Sequence, residues 1–82
     1  MTFKSHMERA LFEAAQAAER GEVPVGAVLV SPTGTALAAA GNETRASCDP
    51  TAHAEILVIR QACTALGSER LTGCDLYVTL EP

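Results

Sequence analysis

One stretch decides how this sequence folds: the run VPVGAVLV at residues 23–30. Its apolar residues are almost continuous, which predicts a strand buried on both faces, as in a sheet covered by helices on both sides. Pro24 is compatible with this prediction because a proline at the start of a strand loses no ladder hydrogen bond. The composition of residues 31–34 then predicts a turn. The short run at 35–40, bounded by glycines, predicts a second strand hairpinned to the first.

A helix precedes this strand. Ser5 and Glu8 have the spacing of a capping box, in which a hydroxyl caps the helix and a carboxylate follows three residues later. Apolar residues then recur at helical spacing, and Gly21 is a natural end. The sequence therefore predicts a helix over residues 6–20, in which Met7, Leu11, Ala14 and Ala18 recur at helical spacing. Because the face of this helix is mostly alanine, we expect it to lie close against the element that it covers.

The second half of the chain predicts another helix and a third strand. Asp49 or Thr51 can cap a helix whose first turn accommodates Pro50. This helix has an apolar stripe and ends at Leu66-Gly67, and the stripe consists of Ala54, Leu57, Val58, Ala62 and Ala65. A strand follows at 76–80. The order of elements predicts an α/β fold with a mixed central sheet covered by helices on both faces. We expect residues 1–82 to form the N-terminal part of a single domain whose C-terminal elements are missing from this chain.

The composition narrows the possible functions. With a net charge of −4, one lysine and five arginines, the chain is a poor match to nucleic-acid-binding surfaces, which cluster basic residues. Charged residues inside the N-terminal apolar stretch argue against a signal peptide or a membrane span there. Cys48, Cys63 and Cys74 show no paired spacing, so we expect free thiols in a reducing cytoplasm.

The sequence TAHAE at residues 51–55 is the candidate for chemistry. His53 and Glu55 point about 200° away from each other along a helix body. At the first turn of a helix, however, both can border a cavity at its end, where the helix dipole favours a carboxylate and a neutral histidine. There His53 can hold a metal and Glu55 can carry protons. A histidine this close to a glutamate also occurs by chance, so these two residues alone leave a non-functional alternative open.

A second motif makes the pattern specific. The predicted strand at 76–80 is followed by Glu81 and Pro82. The pattern His-x-Glu with a downstream Pro-Cys-x-x-Cys is the signature of the zinc deaminases of cytidine, cytosine, guanine and adenosine, and the chain resembles this family as far as Pro82. The resemblance implies the three-layer α-β-α cytidine-deaminase-like fold, a Zn²⁺ cofactor, His53 as zinc ligand and Glu55 as catalytic acid and base. It also implies two cysteine ligands after Pro82, outside this chain.

Within this family, the chain is similar to the tRNA adenosine deaminases in the segments at 22–28, 41–42, 49–55 and 76–82. That resemblance implies hydrolytic deamination of adenosine to inosine at the wobble position, with the tRNA anticodon loop as partner and a cytoplasmic homodimer. It also implies that Asn42 hydrogen-bonds the base, beside the Ala54 backbone, although a loop asparagine after a glycine often bonds its own backbone. Two other functions stay open. One is deamination of free nucleobases or nucleosides such as guanine or cytosine, which suits the acidic charge better; the other is a metal-free interaction module.

Overall fold

A computed structural model describes residues 2–79 of the chain. Its elements follow the predicted order of helix, strand, strand, helix, strand, which is therefore confirmed. They are α1 (His6–Glu19), β1 (Gly26–Val30), β2 (Ala36–Gly41), α2 (Ala54–Leu66) and β3 (Asp75–Val78). Neither helix in this range is long and apolar enough to span a membrane. The predicted strand residue Leu80 and the motif residues Glu81 and Pro82 lie outside the described residues.

The three strands form one sheet with β1 in the centre, in the order β2-β1-β3. All five residues of β1 are buried, which confirms the prediction of a strand covered on both faces. Both pairings are antiparallel, with Gly26 opposite Gly41 and Ala27 opposite Val78. The mixed sheet predicted from the sequence requires an additional parallel strand, because none of these three is parallel to its neighbour.

The two helices cover opposite faces of this sheet. Side chains of consecutive strand residues point to opposite faces, and the packing of β1 follows that alternation. Val28 and Val30 pack against Ala10 of α1. Ala27 and Leu29 belong to a second cluster, whose α2 members are Ala54, Val58 and Ala62. The described residues therefore form three layers, α1 on the sheet and the sheet on α2, as predicted.

The first helix lies unusually close to the sheet. A Cβ atom placed on Gly26 would overlap the Ala10 carbonyl oxygen, and one on Gly41 would lie 2.5 Å from the Glu13 carbonyl oxygen. Only a helix face of small side chains permits this approach. The predicted close packing of a mostly alanine face is therefore confirmed, but of the four residues at helical spacing only Ala14 is buried, because the larger side chains point away from the sheet. The buried residues of α1 are Ala10, Ala14 and Ala17, whereas Met7, Leu11 and Ala18 are exposed.

The second helix begins later than predicted. The Asp49 carboxylate accepts hydrogen bonds from the N–H and the hydroxyl of Thr51, at 2.8 and 2.7 Å, and so closes a local turn. Neither residue caps α2, whose N-cap is His53. The end of the helix is as predicted, with Gly67 in the left-handed conformation. Ala65, predicted in the buried stripe, is exposed.

Candidate functional site

One end of the sheet faces the start of α2. At this end β1 begins with Gly26, and β2 and β3 finish opposite it. Thr79, buried immediately after β3, holds the end of β3 against the start of β1. Its N–H donates to the Gly26 carbonyl and its hydroxyl accepts from the Gly26 N–H, both at 2.9 Å. Thr79 therefore lies at the end of the sheet at which α2 begins.

Asn42 connects this end of the sheet to the helix. It follows β2 directly, and its N–H donates to the Val25 carbonyl at 3.0 Å. Its side-chain oxygen accepts a hydrogen bond from the Ala54 N–H at 2.8 Å. That N–H is one of the groups at a helix start that lack a partner within the helix. Since the His53 side chain makes no capping bond, Asn42 supplies the cap from 12 residues upstream.

This contact also fixes which way the Asn42 amide faces. A backbone N–H needs an acceptor, so the amide oxygen must point to α2 and the NH₂ group must point away from it. Within residues 2–79 the Asn42 nitrogen makes no hydrogen bond, and no buried side-chain nitrogen or oxygen in that range lacks a partner. Among residues 2–79 the NH₂ group therefore has no hydrogen-bond acceptor.

His53 and Glu55 lie at the start of α2, as predicted. His53 is exposed, its N–H donates to the Thr51 carbonyl at 2.8 Å, and its own carbonyl accepts from Leu57 at 3.0 Å. Its backbone is thereby fixed while the imidazole stays available. Glu55 is half-buried in the first turn of the helix. The roles of these two side chains as ligand and proton carrier stay predictions.

Ala54 contributes to the site through its backbone. The residue is fully buried, and its N–H is engaged by Asn42. A direct contact between the Ala54 backbone and a base stays a prediction, whereas its support of the Asn42 side chain is a feature of the structure.

The described residues supply one credible zinc ligand. Across residues 2–79 no group of three or more histidine, cysteine or acidic side chains is close enough to hold a metal ion. A catalytic zinc needs three protein ligands and an open position. The exposed His53 imidazole fits one of these places, and Cys48, Cys63 and Cys74 are free thiols that do not join it in a cluster. The two predicted cysteine ligands fall outside the described residues.

A loop of residues 43–52 separates Asn42 from His53, and hydrogen bonds make it compact. The Glu43 N–H donates to the Ala52 carbonyl at 2.9 Å, which closes the loop just before His53. Inside it, the hydrogen bonds from the Thr51 hydroxyl and N–H lower the pKa of the Asp49 carboxyl from its ordinary value of 3.8. The ionised carboxylate therefore stabilises the turn over the whole neutral range.

Sequence reasoning missed Glu22 and Thr79. Both are buried polar residues whose hydrogen bonds hold this end of the sheet or its loop. The sequence identifies Glu22 only as the first residue of the segment at 22–28, which resembles the tRNA adenosine deaminases. A glutamate beside an apolar run can be buried if donors surround it. The sequence alone does not show which distant residues supply those donors.

A cavity of about 580 Å³ lies elsewhere on the molecule. It is lined by the N-terminal segment and by residues that include His6, Arg9, Ala36 and Tyr77. Asn42, His53 and Glu55 do not contribute to it, so this cavity is separate from the candidate site.

The whole chain matches the model of one protein family. The chain belongs to the family described as the cytidine and deoxycytidylate deaminase zinc-binding region, whose model matches residues 1–82. This membership confirms the resemblance carried by the histidine and glutamate motif.

The chain is similar to particular members of this family. The chain is 63% identical to the tRNA-specific adenosine deaminase of Agrobacterium fabrum, over all of this chain and 54% of that protein. A solved structure from a study of A-to-I editing by tRNA:A34 deaminases is 65% identical, with a TM-score of 0.89, over 94% of this chain and 58% of the other. The guanine deaminase of Bacillus subtilis is 39% identical, with a TM-score of 0.86, over 100% and 52% of the two chains. These structures confirm the cytidine-deaminase-like fold, and the chain spans about half the length of the relatives that it matches.

Proposed function

We propose that residues 1–82 are the N-terminal part of a single deaminase domain. We further propose that the full-length protein hydrolyses adenosine to inosine at the wobble position of tRNA, with zinc as cofactor. One observation carries the proposal: Asn42 holds its amide against the first N–H of α2, beside His53 and Glu55. The 63% identity to a tRNA-specific adenosine deaminase supports adenosine in tRNA as the substrate.

In this proposal the chain's residues divide the chemistry. His53 holds zinc together with two cysteines that follow Pro82. The zinc supplies a water molecule whose pKa is lowered to about 7. Glu55 accepts a proton from this water and delivers it to a purine ring nitrogen, which makes C6 more electrophilic. The oxygen of this water would bond to C6, and Glu55 would move the remaining proton of that oxygen to the amine. The C6–N bond then breaks, ammonia leaves and the C6 carbonyl of inosine forms, so that the net reaction consumes one water.

Asn42 orients the base in this proposal. Its oxygen accepts from the Ala54 N–H at 2.8 Å, which leaves the NH₂ group to donate to an acceptor on the base. The Ala54 backbone lies beside the base in this proposal and also fixes the Asn42 side chain. Because the Asn42 side chain is already oriented before the substrate arrives, it loses little conformational entropy when the base binds.

Two arginines near the site support RNA as the substrate despite the net charge of −4. Arg20 donates to the Asn42 carbonyl at 3.2 Å, and Arg45 donates to the Gly21 carbonyl at 2.9 Å. Both residues are exposed, and a guanidinium has five N–H donors, so each retains donors for a phosphate. Acidic residues outnumber these two arginines in residues 19–22 and 42–55, so contact with a phosphate there would depend on the two guanidinium groups.

Deamination of a free base such as guanine is the second candidate function. The similarity of the fold to a guanine deaminase, with a TM-score of 0.86, favours it as the alternative, as does the acidic composition. The experiment compares substrates for the full-length protein: an anticodon stem-loop with a wobble adenosine, the same stem-loop with the adenosine moved by one position, and free adenosine, guanine and cytosine. Inosine only in the first stem-loop is the expected result. Rapid release of ammonia from guanine or cytosine with an unchanged stem-loop would establish the alternative.

Zinc binding is tested separately from substrate choice. The full-length protein should contain about one zinc after dialysis, and His53→Ala should lose it. His6→Ala is the matched control, because His6 packs against Tyr77, with ring centroids 5.4 Å apart, and lines the separate cavity. Retention of zinc by the His53 variant would contradict the ligand assignment. Absence of zinc from the unaltered protein would favour a metal-free module.

Cytoplasmic location and a homodimeric state complete the proposal. Both rest on the resemblance to the tRNA enzymes, and the free thiols of this chain suit a reducing compartment. Light scattering on the full-length protein, and fractionation of cells that express it, measure the two properties directly.

A further inference from the structure

Glu22 lies in the connection between α1 and β1, with only 6% of its surface exposed. A carboxylate so far from water needs hydrogen-bond donors to offset its lost hydration. Its donors come from the loop that follows Asn42. Oε1 accepts from the Arg45 N–H at 3.0 Å and Oε2 from the Ala46 N–H at 2.8 Å. The Thr44 hydroxyl donates to Oε1 at 3.4 Å.

These donors bind the ionised form of the carboxyl group. The Arg45 N–H lowers the pKa of Glu22 most, and the Ala46 N–H and the Thr44 hydroxyl lower it further. Burial acts in the opposite direction, yet the pKa stays below its ordinary value of 4.5. At neutral pH Glu22 is therefore a charged acceptor, and hydrogen bonds to a charged acceptor are about twice as strong as neutral ones.

Two further hydrogen bonds join the same two segments, and in one of them the connection is the donor. The Arg45 guanidinium donates to the Gly21 carbonyl at 2.9 Å, and Arg20 donates to the Asn42 carbonyl at 3.2 Å. The connection at 20–22 thus holds the loop both at Asn42 and two to four residues beyond it. Such a set of contacts restricts rotation as well as translation of the loop.

We propose that Glu22 is a positioning residue of the deaminase site, whose carboxylate holds the loop at 44–46 so that Asn42 meets the start of α2. The inference rests on the proposed function. Asn42 precedes the loop, and the hydrogen bond from Glu43 to Ala52 ends it one residue before His53. Displacement of the loop therefore moves the Asn42 amide that orients the base.

The test compares three variants of the full-length protein. Glu22→Gln keeps the side-chain shape but replaces one acceptor oxygen with an NH₂ group, which then faces a backbone N–H. Glu22→Asp keeps both acceptors on a side chain that is one methylene shorter. Glu19→Gln is the matched control, because it removes the same charge from an exposed position at the end of α1.

Hydrogen exchange measures the loop directly. In Glu22→Gln the amides of Arg45 and Ala46 should exchange about tenfold to hundredfold faster, because each loses a charged acceptor. Exchange in Glu22→Asp should be intermediate, and the control should be unchanged. Unaltered exchange at both amides in Glu22→Gln would overturn the proposal. This readout needs no substrate, so it decides the role of Glu22 in the loop even if the proposed function fails.

Kinetics distinguish positioning from a general structural role. The value of kcat/KM should fall by about tenfold or more in Glu22→Gln and recover in part in Glu22→Asp. In an Asn42→Ala background the same substitution should change kcat/KM by less than about threefold, because residues that act through one another are not additive. Equal factors in both backgrounds would overturn the proposal. If Glu22→Gln does not fold, Glu22→Asp is measured in the same cycle.

Discussion

Asn42 combines two tasks that substitution can separate. Its oxygen caps α2 through the Ala54 N–H at 2.8 Å, and its NH₂ group is proposed to bind the base. Asn42→Ala removes both groups and leaves a buried N–H without an acceptor, which costs about 1–3 kcal/mol of stability. Asn42→Asp keeps an acceptor at the cap, where the positive end of the helix dipole favours a negative charge. It lacks the donor for the base.

The two variants should therefore differ in stability and agree in activity. We expect urea unfolding of the full-length protein to show a loss of about 1–3 kcal/mol for Asn42→Ala and a change within about 1 kcal/mol for Asn42→Asp. Single-turnover deamination of the stem-loop should fall by about tenfold to hundredfold in both. Full activity of Asn42→Asp would refute the base contact, and unchanged stability of Asn42→Ala would refute the cap.

Three further predictions concern the catalytic group, the packing of α1 and the effect of pH. Glu55→Gln should lower turnover by at least about 10²–10⁴-fold with zinc content unchanged; loss of zinc on elemental analysis would instead make Glu55 a ligand. Gly26→Ala should destabilise the protein by about 1–3 kcal/mol or more on urea unfolding, since the new Cβ meets the α1 backbone. The control is Gly67→Asn, where a side chain meets open space at φ +64° and the loss of unfolding free energy should be less than about 1 kcal/mol. The stability that ionised Glu22 contributes is fully present above its unfolded pKa of about 4.5 and is lost as pH falls through its lower folded pKa. Unfolding from pH 7 to 3 should therefore show the difference between wild type and Glu22→Gln shrinking below pH 4.5, and a constant difference would contradict this.

The limits of sequence-based prediction are clearest in the two helices. The start of α1 followed from Ser5 and Glu8, and Ser5 does accept a hydrogen bond from the Glu8 N–H at 3.1 Å. The close approach of a mostly alanine face followed from composition, but the particular buried residues did not, because helical spacing selected Met7 and Leu11 while the approach to Gly26 requires alanine. Periodicity records which residues are apolar but not how near the neighbouring layer comes.

The site shows the same division between local and distant information. His53 and Glu55 followed from their spacing and from a family signature. The predicted start of α2 is too early because Asp49 is a good N-cap by residue type. The side chain that actually accepts from the first N–H of the helix is Asn42, 12 residues before Ala54. Contacts between residues far apart in sequence leave no periodic signal.

The pairing of Gly26 with Thr79 has a consequence for synthesis of the chain. These residues are 53 positions apart, and at about 5–20 residues per second the ribosome adds Thr79 roughly 3–10 s after Gly26. During that interval β1 can pair with β2 and pack under α1, but its other edge has no partner within residues 2–79 until β3 is made. An open edge on an apolar strand is a site for aggregation. Between completion of the hairpin and arrival of β3, this edge of β1 is therefore open to pairing with another chain.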